Sequence, residues 1–253
     1  MFEILLALLA GIAAGALNAV GGGGTFVALP ALVALGLTPV TANALSRIAL
    51  VPGALAGAWV CRREIGPVGP TSMRELTAVS VVGGGVGAGL LLVLPASSFD
   101  AAAPWLLAFA TVVLAFGRRV SQALSDRLGR SVALSSRALL TGQFFIAVYG
   151  GYFGGAVGVM MLALWGIGLG LDSAAGNPMR IAQLAAIFAS ATVLFLVASD
   201  ALSAPLLLGA MLVGAVAGGY GGAHLARRLP APLLRGVLLT TAVTTTVLYF
   251  LRG

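Results

Sequence analysis

Eight apolar runs organise this chain, at residues 2–37, 39–61, 74–95, 102–119, 138–171, 178–199, 204–226 and 232–251. Runs of about 20 apolar residues have the length that crosses a bilayer core of ~30 Å as a helix. Only 8% of the 253 residues are charged, against roughly 25% in soluble domains. The expected fold is therefore an all-α polytopic membrane protein. The opening "MFEILLALLAGIAAGALNA" has the apolarity of a signal peptide. It has no basic start, carries Glu3 and runs on past any cleavage site, so it is expected to stay in the mature protein.

Two of the runs are anomalous. Residues 2–37 and 138–171 would each make ~50 Å of helix, too long for one span and short for two. Glycines interrupt both: Gly21 to Gly24 in "NAVGGGGTF", and "YGGYFGGAVG" from Tyr149 to Gly158. Three ordinary runs follow each anomalous one, so the order repeats. Placing Gly15 on Gly151 also puts Gly22 on Gly158. After a small gap, Arg47-Ile48-Ala49 falls on Arg180-Ile181-Ala182. The expected division is a first transmembrane repeat over 1–120, a basic cytoplasmic linker over 121–137 and a second repeat over 138–253.

Charge orients the halves. The net charge of +7 comes from 14 arginines against 7 acids. In a soluble protein that balance points to nucleic acid. Here the arginines flank apolar runs, so the lipid bilayer is the partner expected and nucleic acid is not. Three loops are basic: Arg62, Arg63 and Arg74; Arg118, Arg119, Arg127, Arg130 and Arg137; Arg227, Arg228 and Arg235. The loops near Asp100 and Asp200 have no basic residue, so they face outward and the arginine-rich loops face the cytoplasm. Tracing spans between them makes the second broken run start and end on the cytoplasmic side, as a re-entrant hairpin. The first, by analogy, dips in from outside, and the halves have inverted topology. A single crossing by each broken run would put Arg227 and Arg228 outside, against the charge rule.

Four glycines in a helix interior cost about 1 kcal/mol each relative to alanine, so the first break calls for a use. Thr25 is a residue type suited to an N-cap, and the amides that open the following helix carry partial positive charge. Glycines let a ligand approach those amides closely, and Asn18 adds a polar group, which together would make an anion site. Close helix packing is the other use of such glycines, and "GGGVGAG" at Gly83–Gly89 is read that way. Thr38-Pro39 looks like a helix start, placing Arg47 about 12 Å along the axis. An arginine at that depth costs at least ~2.5 kcal/mol and is a functional candidate by default. Asn43 and Ser46 lie beside it, and Pro52 should kink the helix. Arg180, its repeat mate, follows Pro178, and snorkelling to the interface explains it equally well.

All seven acids fall at run ends or in loops, which favours an anion over a cation as cargo. The candidate binding set is Asn18, Gly21, Gly22, Gly23, Gly24, Thr25, Asn43, Ser46, Arg47, Gly154, Gly155, Asn177 and Arg180. One cysteine, Cys61, and one histidine, His224, make neither an intrachain disulfide nor a metal site, and no cofactor is expected. An intramembrane enzyme lacks its nucleophile, base or paired aspartates. A secondary transporter and a passive anion channel share this chemistry, and both stay open.

The stretch Ala14 to Ile65, with its glycine run, Pro30, the Ala-Asn of "TANALS" and "PGALAG", resembles the first signature of the TauE/SafE family of sulfite and organosulfur anion exporters. The resemblance extends over the whole chain as two halves. The second half departs from the family pattern, with "GGAVGVMML" where a fuller glycine run is common and Arg180 where lysine is common. The resemblance implies an inner-membrane permease that exports small anions such as sulfite or organosulfonates, coupled to the proton gradient. With no buried carboxylate to carry a proton, a weak acid such as bisulfite would bring its own. Self-association is left open.

Overall fold

The computed structural model describes residues 1–128, 134–225, 228 and 231–252, so Arg130 and Arg227 lie outside the described residues. Among these residues the chain forms ten α-helices: α1 (Phe2–Gly21), α2 (Thr25–Ala34), α3 (Pro39–Val60), α4 (Met73–Val93), α5 (Ala96–Leu128), α6 (Ser136–Tyr152), α7 (Val157–Leu169), α8 (Ser173–Ala198), α9 (Pro205–Leu225) and α10 (Ala231–Arg252). Segments of α1, α4, α5, α8 and α9 are long and apolar enough to cross a membrane. Large apolar side chains such as Trp59, Trp105, Phe145 and Val197 are exposed, as a lipid-facing surface requires.

Local signals set the helix ends. α1 stops because Gly22 takes a left-handed conformation (φ 74°) that L-residues with a Cβ adopt only under strain. The Gly22 amide donates to Asn18 O at 2.9 Å and the Gly23 amide to Leu17 O at 3.4 Å, which closes the last turn. α3 opens as its sequence predicts: Thr38 Oγ1 accepts from the Thr41 amide at 3.3 Å and Pro39 is the first helical residue. It runs unbroken through Pro52. Ser72 and Glu75 form a reciprocal cap on α4, and Ser135 caps α6. The run expected at 102–119 is longer in the structure. α5 begins at Ala96 and continues to Leu128, into the stretch read as linker.

Within each broken run the two helices touch, α1 with α2 and α6 with α7. Gly24, just before α2, lies against Ala14 and Asn18 of α1. The Leu134 amide, just before α6, donates to Gly168 O near the end of α7 at 2.9 Å. The arms are unequal, with 20 and 10 residues in α1 and α2 and 17 and 13 in α6 and α7.

The contacts between the halves come in matched pairs. α1 lies along α9 as α6 lies along α4; α3 packs on α9 as α8 packs on α4; α2 meets α10 as α7 meets α5. Small residues let these backbones approach. A Cβ on Gly15 would meet Ala215 O and the Gly219 amide, and one on Gly151 would meet Gly84 O and the Ala88 amide. Gly15 and Gly151 thus make corresponding contacts. Gly22 and Gly158 do not: Gly22 is left-handed, as Gly154 is (φ 79°), whereas Gly158 lies within α7. By conformation the partner of Gly22 is Gly154. In α4, Gly83, Gly84 and Gly87 press on the backbones of α6 and α8, which is the packing use expected for that stretch.

Candidate functional site

The two breaks meet each other. A Cβ on Gly22 would come within 2.9 Å of the Gly158 amide nitrogen, and Gly21 O lies against Gly158. Gly21, Gly22, Gly23 and Gly24 are all buried. Gly21 and Gly23 face the side-chain tip of Leu238 on α10, and Gly24 faces Ala14 O. Gly22 and Gly24 thus mark close approach between backbones, and Gly21 and Gly23 make room for Leu238. Its amides are another matter: among the described residues those of Gly24 and Thr25, and of Gly155 to Gly158, have no hydrogen-bond acceptor. These are the unpaired donors that helix N-termini leave, here at the starts of α2 and α7.

Arg47, on the third turn of α3, is fully buried. Its Nη1 donates to Thr25 Oγ1 at 3.2 Å and its Nη2 to Asn43 Oδ1 at 3.1 Å. One face of the guanidinium stacks on Phe188 of α8, 4.8 Å from the ring centre. The other contact is with Gly154, where the guanidinium occupies the space a Cβ would need. Arg47 Nε has no partner. Thr25 is not the N-cap that its residue type led us to expect. Gly24 precedes α2, Thr25 is its first helical residue, and its hydroxyl is spent on Arg47.

Arg180 is also fully buried, so the snorkelling alternative fails. Its Nη2 donates to Ala19 O at 2.8 Å and Val20 O at 3.3 Å, in the last turn of α1. Nε and Nη2 both reach Asn177 Oδ1, at 2.9 and 2.6 Å, and Nη1 is unpartnered. The C-terminal end of a helix carries partial negative charge, so α1 offsets this guanidinium.

The remaining candidates divide. Asn43 bridges the halves, its Nδ2 donating to Tyr152 O at 2.8 Å. Asn18 is buried beside Gly24 with its Oδ1 unpartnered. Ser46 turns its hydroxyl onto Asn43 O of its own helix. Gly155 lies against Phe153 and Ala110, one residue away from the guanidinium that Gly154 touches. Sequence reasoning missed Phe188 and the carbonyls of Ala19 and Val20. The carbonyls had a signal, being the end of a helix stopped by glycine; Phe188 had none.

Among the described residues no acid reaches either arginine. Glu3, Glu64, Glu75, Asp100, Asp172 and Asp200 are all exposed. No group of three or more His, Cys, Asp or Glu gathers among them to hold a metal ion.

The profile of the sulfite exporter TauE/SafE family matches residues 7–249, which takes in both breaks and both arginines. The chain belongs to the TauE/SafE family. Neither curated proteins nor solved structures gave a match. A TauE/SafE protein is a membrane transporter by its family, and the apolar helices agree with that.

Proposed function

We propose that this chain is a secondary transporter that exports a small anion such as sulfite or an organosulfonate, held between Arg47 and the N-termini of α2 and α7. The observation that carries the reading is the environment of Arg47. It is a buried cation whose only hydrogen-bond acceptors among the described residues are a neutral hydroxyl and a neutral amide. It stands between two helix starts whose amides are unpaired and whose dipoles add positive charge. A charge buried without compensation costs several kcal/mol, and a bound anion removes that cost. Arg180, already compensated by α1, positions the first break in this reading. The contact of Gly22 with Gly158 favours alternating access over an open channel, because solute can pass only if the breaks separate.

The halves are inverted repeats, with both broken runs re-entrant and the arginine-rich loops in the cytoplasm of a cell with this protein in its inner membrane. The return of α7 to the start of α6 and the exchanged pairing of helices support this. Export is coupled to protons carried by the anion itself.

Purified protein in proteoliposomes tests the reading. Arg47→Ala should lower sulfite flux by about 10- to 100-fold, the equivalent of one or two lost charge-assisted hydrogen bonds. Unchanged flux in a folded variant rules the role out. Accumulation against a gradient, driven by a pH difference, separates transporter from channel. For orientation, Ala174→Cys and Leu202→Cys in a Cys61→Ala background should label from the cytoplasm and the exterior respectively; both positions are exposed. The reverse pattern overturns the inverted arrangement.

A further inference from the structure

A second polar cluster lies between α4, α6 and α8. Gln143 Nε2 donates to Ser80 Oγ at 2.9 Å, and Gln183 Nε2 donates to Thr77 Oγ1 at 3.0 Å. Ser80, Gln143 and Gln183 are fully buried. The Oε1 of each glutamine has no partner. Thr77 and Ser80 share one face of α4, three residues apart, and Gln183 is one turn beyond Arg180 on α8.

Packing does not require these polar groups. With Arg180 on Arg47, Gln183 falls on Leu50. With Gly151 on Gly15, Gln143 falls on Ala7. Gly84 and Ala215 make corresponding contacts with Gly151 and Gly15, and in that register Ser80 and Thr77 fall on Met211 and Leu208. The matching interface of the other half is thus built from apolar side chains. Polar glue between helices would serve either half equally. Buried polar groups left half-satisfied at only one of two matching interfaces call for a ligand.

We propose that Thr77, Ser80, Gln143 and Gln183 form a neutral transit site for a singly protonated oxyanion, one turn past Arg180 along α8 and beside the first turns of α4. The proposal rests on the anion-transport reading above. The chemistry matches that form of the solute. Hydroxyls and amide N–H groups donate to its oxygens, and the free Oε1 atoms accept its O–H. A terminal amide presents either end by a half-turn, so the pair adapts as the solute passes. A fully deprotonated oxyanion would still find these donors but would leave the Oε1 lone pairs unused, so the protonated form is the better match. The site thereby favours the form that carries a proton, which lets the proton move with the anion without a buried carboxylate. Being uncharged, it holds the solute weakly enough to release it.

The test compares wild type with two double variants, Gln183→Leu/Thr77→Val and Gln143→Leu/Ser80→Ala. Both remove the polar groups in pairs and leave nothing newly unsatisfied. Sulfite flux in proteoliposomes, equilibrium sulfite binding in detergent and thermal unfolding are measured on each. The expected result is a flux roughly tenfold lower, with binding unchanged because Arg47 is intact, and with stability equal or higher. Gln183→Asn should restore part of the flux that Gln183→Leu loses. Wild-type flux in folded double variants overturns the proposal, as does a loss of flux matched by a loss of stability. A wild type that neither binds nor moves sulfite sinks the transport reading itself, and this proposal with it.

Discussion

The two breaks interrupt their helices with different materials. The first is four glycines, of which left-handed Gly22 and Gly24 meet backbone, at Gly158 and Ala14 O, while Gly21 and Gly23 meet the tip of Leu238. The second has only two glycines, Gly154 and Gly155, between its helices and adds an aromatic wall: Tyr152 packs on Phe99 with ring centres 5.7 Å apart, and Tyr149 on Phe153 at 5.9 Å. It also holds Ala156 at φ 57°, a strained conformation for a residue with a Cβ. The arginines differ in step. Arg180 rests on the carbonyl end of α1, whereas Arg47 has two neutral acceptors and the face of Phe188. Sequence matches these arginines as twins, yet electrostatically they are opposites. One is offset by the end of α1, and the other, in the function proposed above, is left for a solute.

The largest effect should come from Gly154→Ala. The new methyl would overlap the Arg47 guanidinium at a left-handed position, lowering stability by about 2–4 kcal/mol. Chemical unfolding in detergent reads this directly, and a near-neutral result would mean Arg47 can leave the second break freely. Within the first break the glycines should rank. Gly24→Ala meets a backbone carbonyl and should cost about 2 kcal/mol, while Gly23→Ala meets only the end of Leu238 and should cost less than ~1 kcal/mol. Equal losses at the two positions would break the picture of a tightly wedged quartet. Smallest is Ala156→Gly, which relieves the strained φ at the second break and should stabilise by about 0.5 kcal/mol, against the added entropy loss of glycine. Destabilisation there would place the strain elsewhere.

Much of the architecture was legible because it is written locally. Apolar length marks the membrane class, glycines mark where helices stop, and Thr38-Pro39 marks the start that carries Arg47 into the interior. Thr25 misled because its residue type suits a cap, while a guanidinium 22 residues further along the chain claims its hydroxyl. Arg180 misled for a similar reason. Distance along its own helix puts it near a surface, but the end of α1 folds over it from the other half.

The sequence by itself determined that this chain lives in a bilayer as helices, that two of those helices are interrupted, and that arginine enters where acids do not. Those properties follow from hydropathy, backbone freedom and charge, each read within a few residues. Only the tertiary structure decided which arginine is compensated, which glycines are wedged, and that a pair of glutamines stands half-satisfied on one side alone. Such questions turn on groups brought together from opposite halves, and electrostatic and packing energies depend on those distances in space.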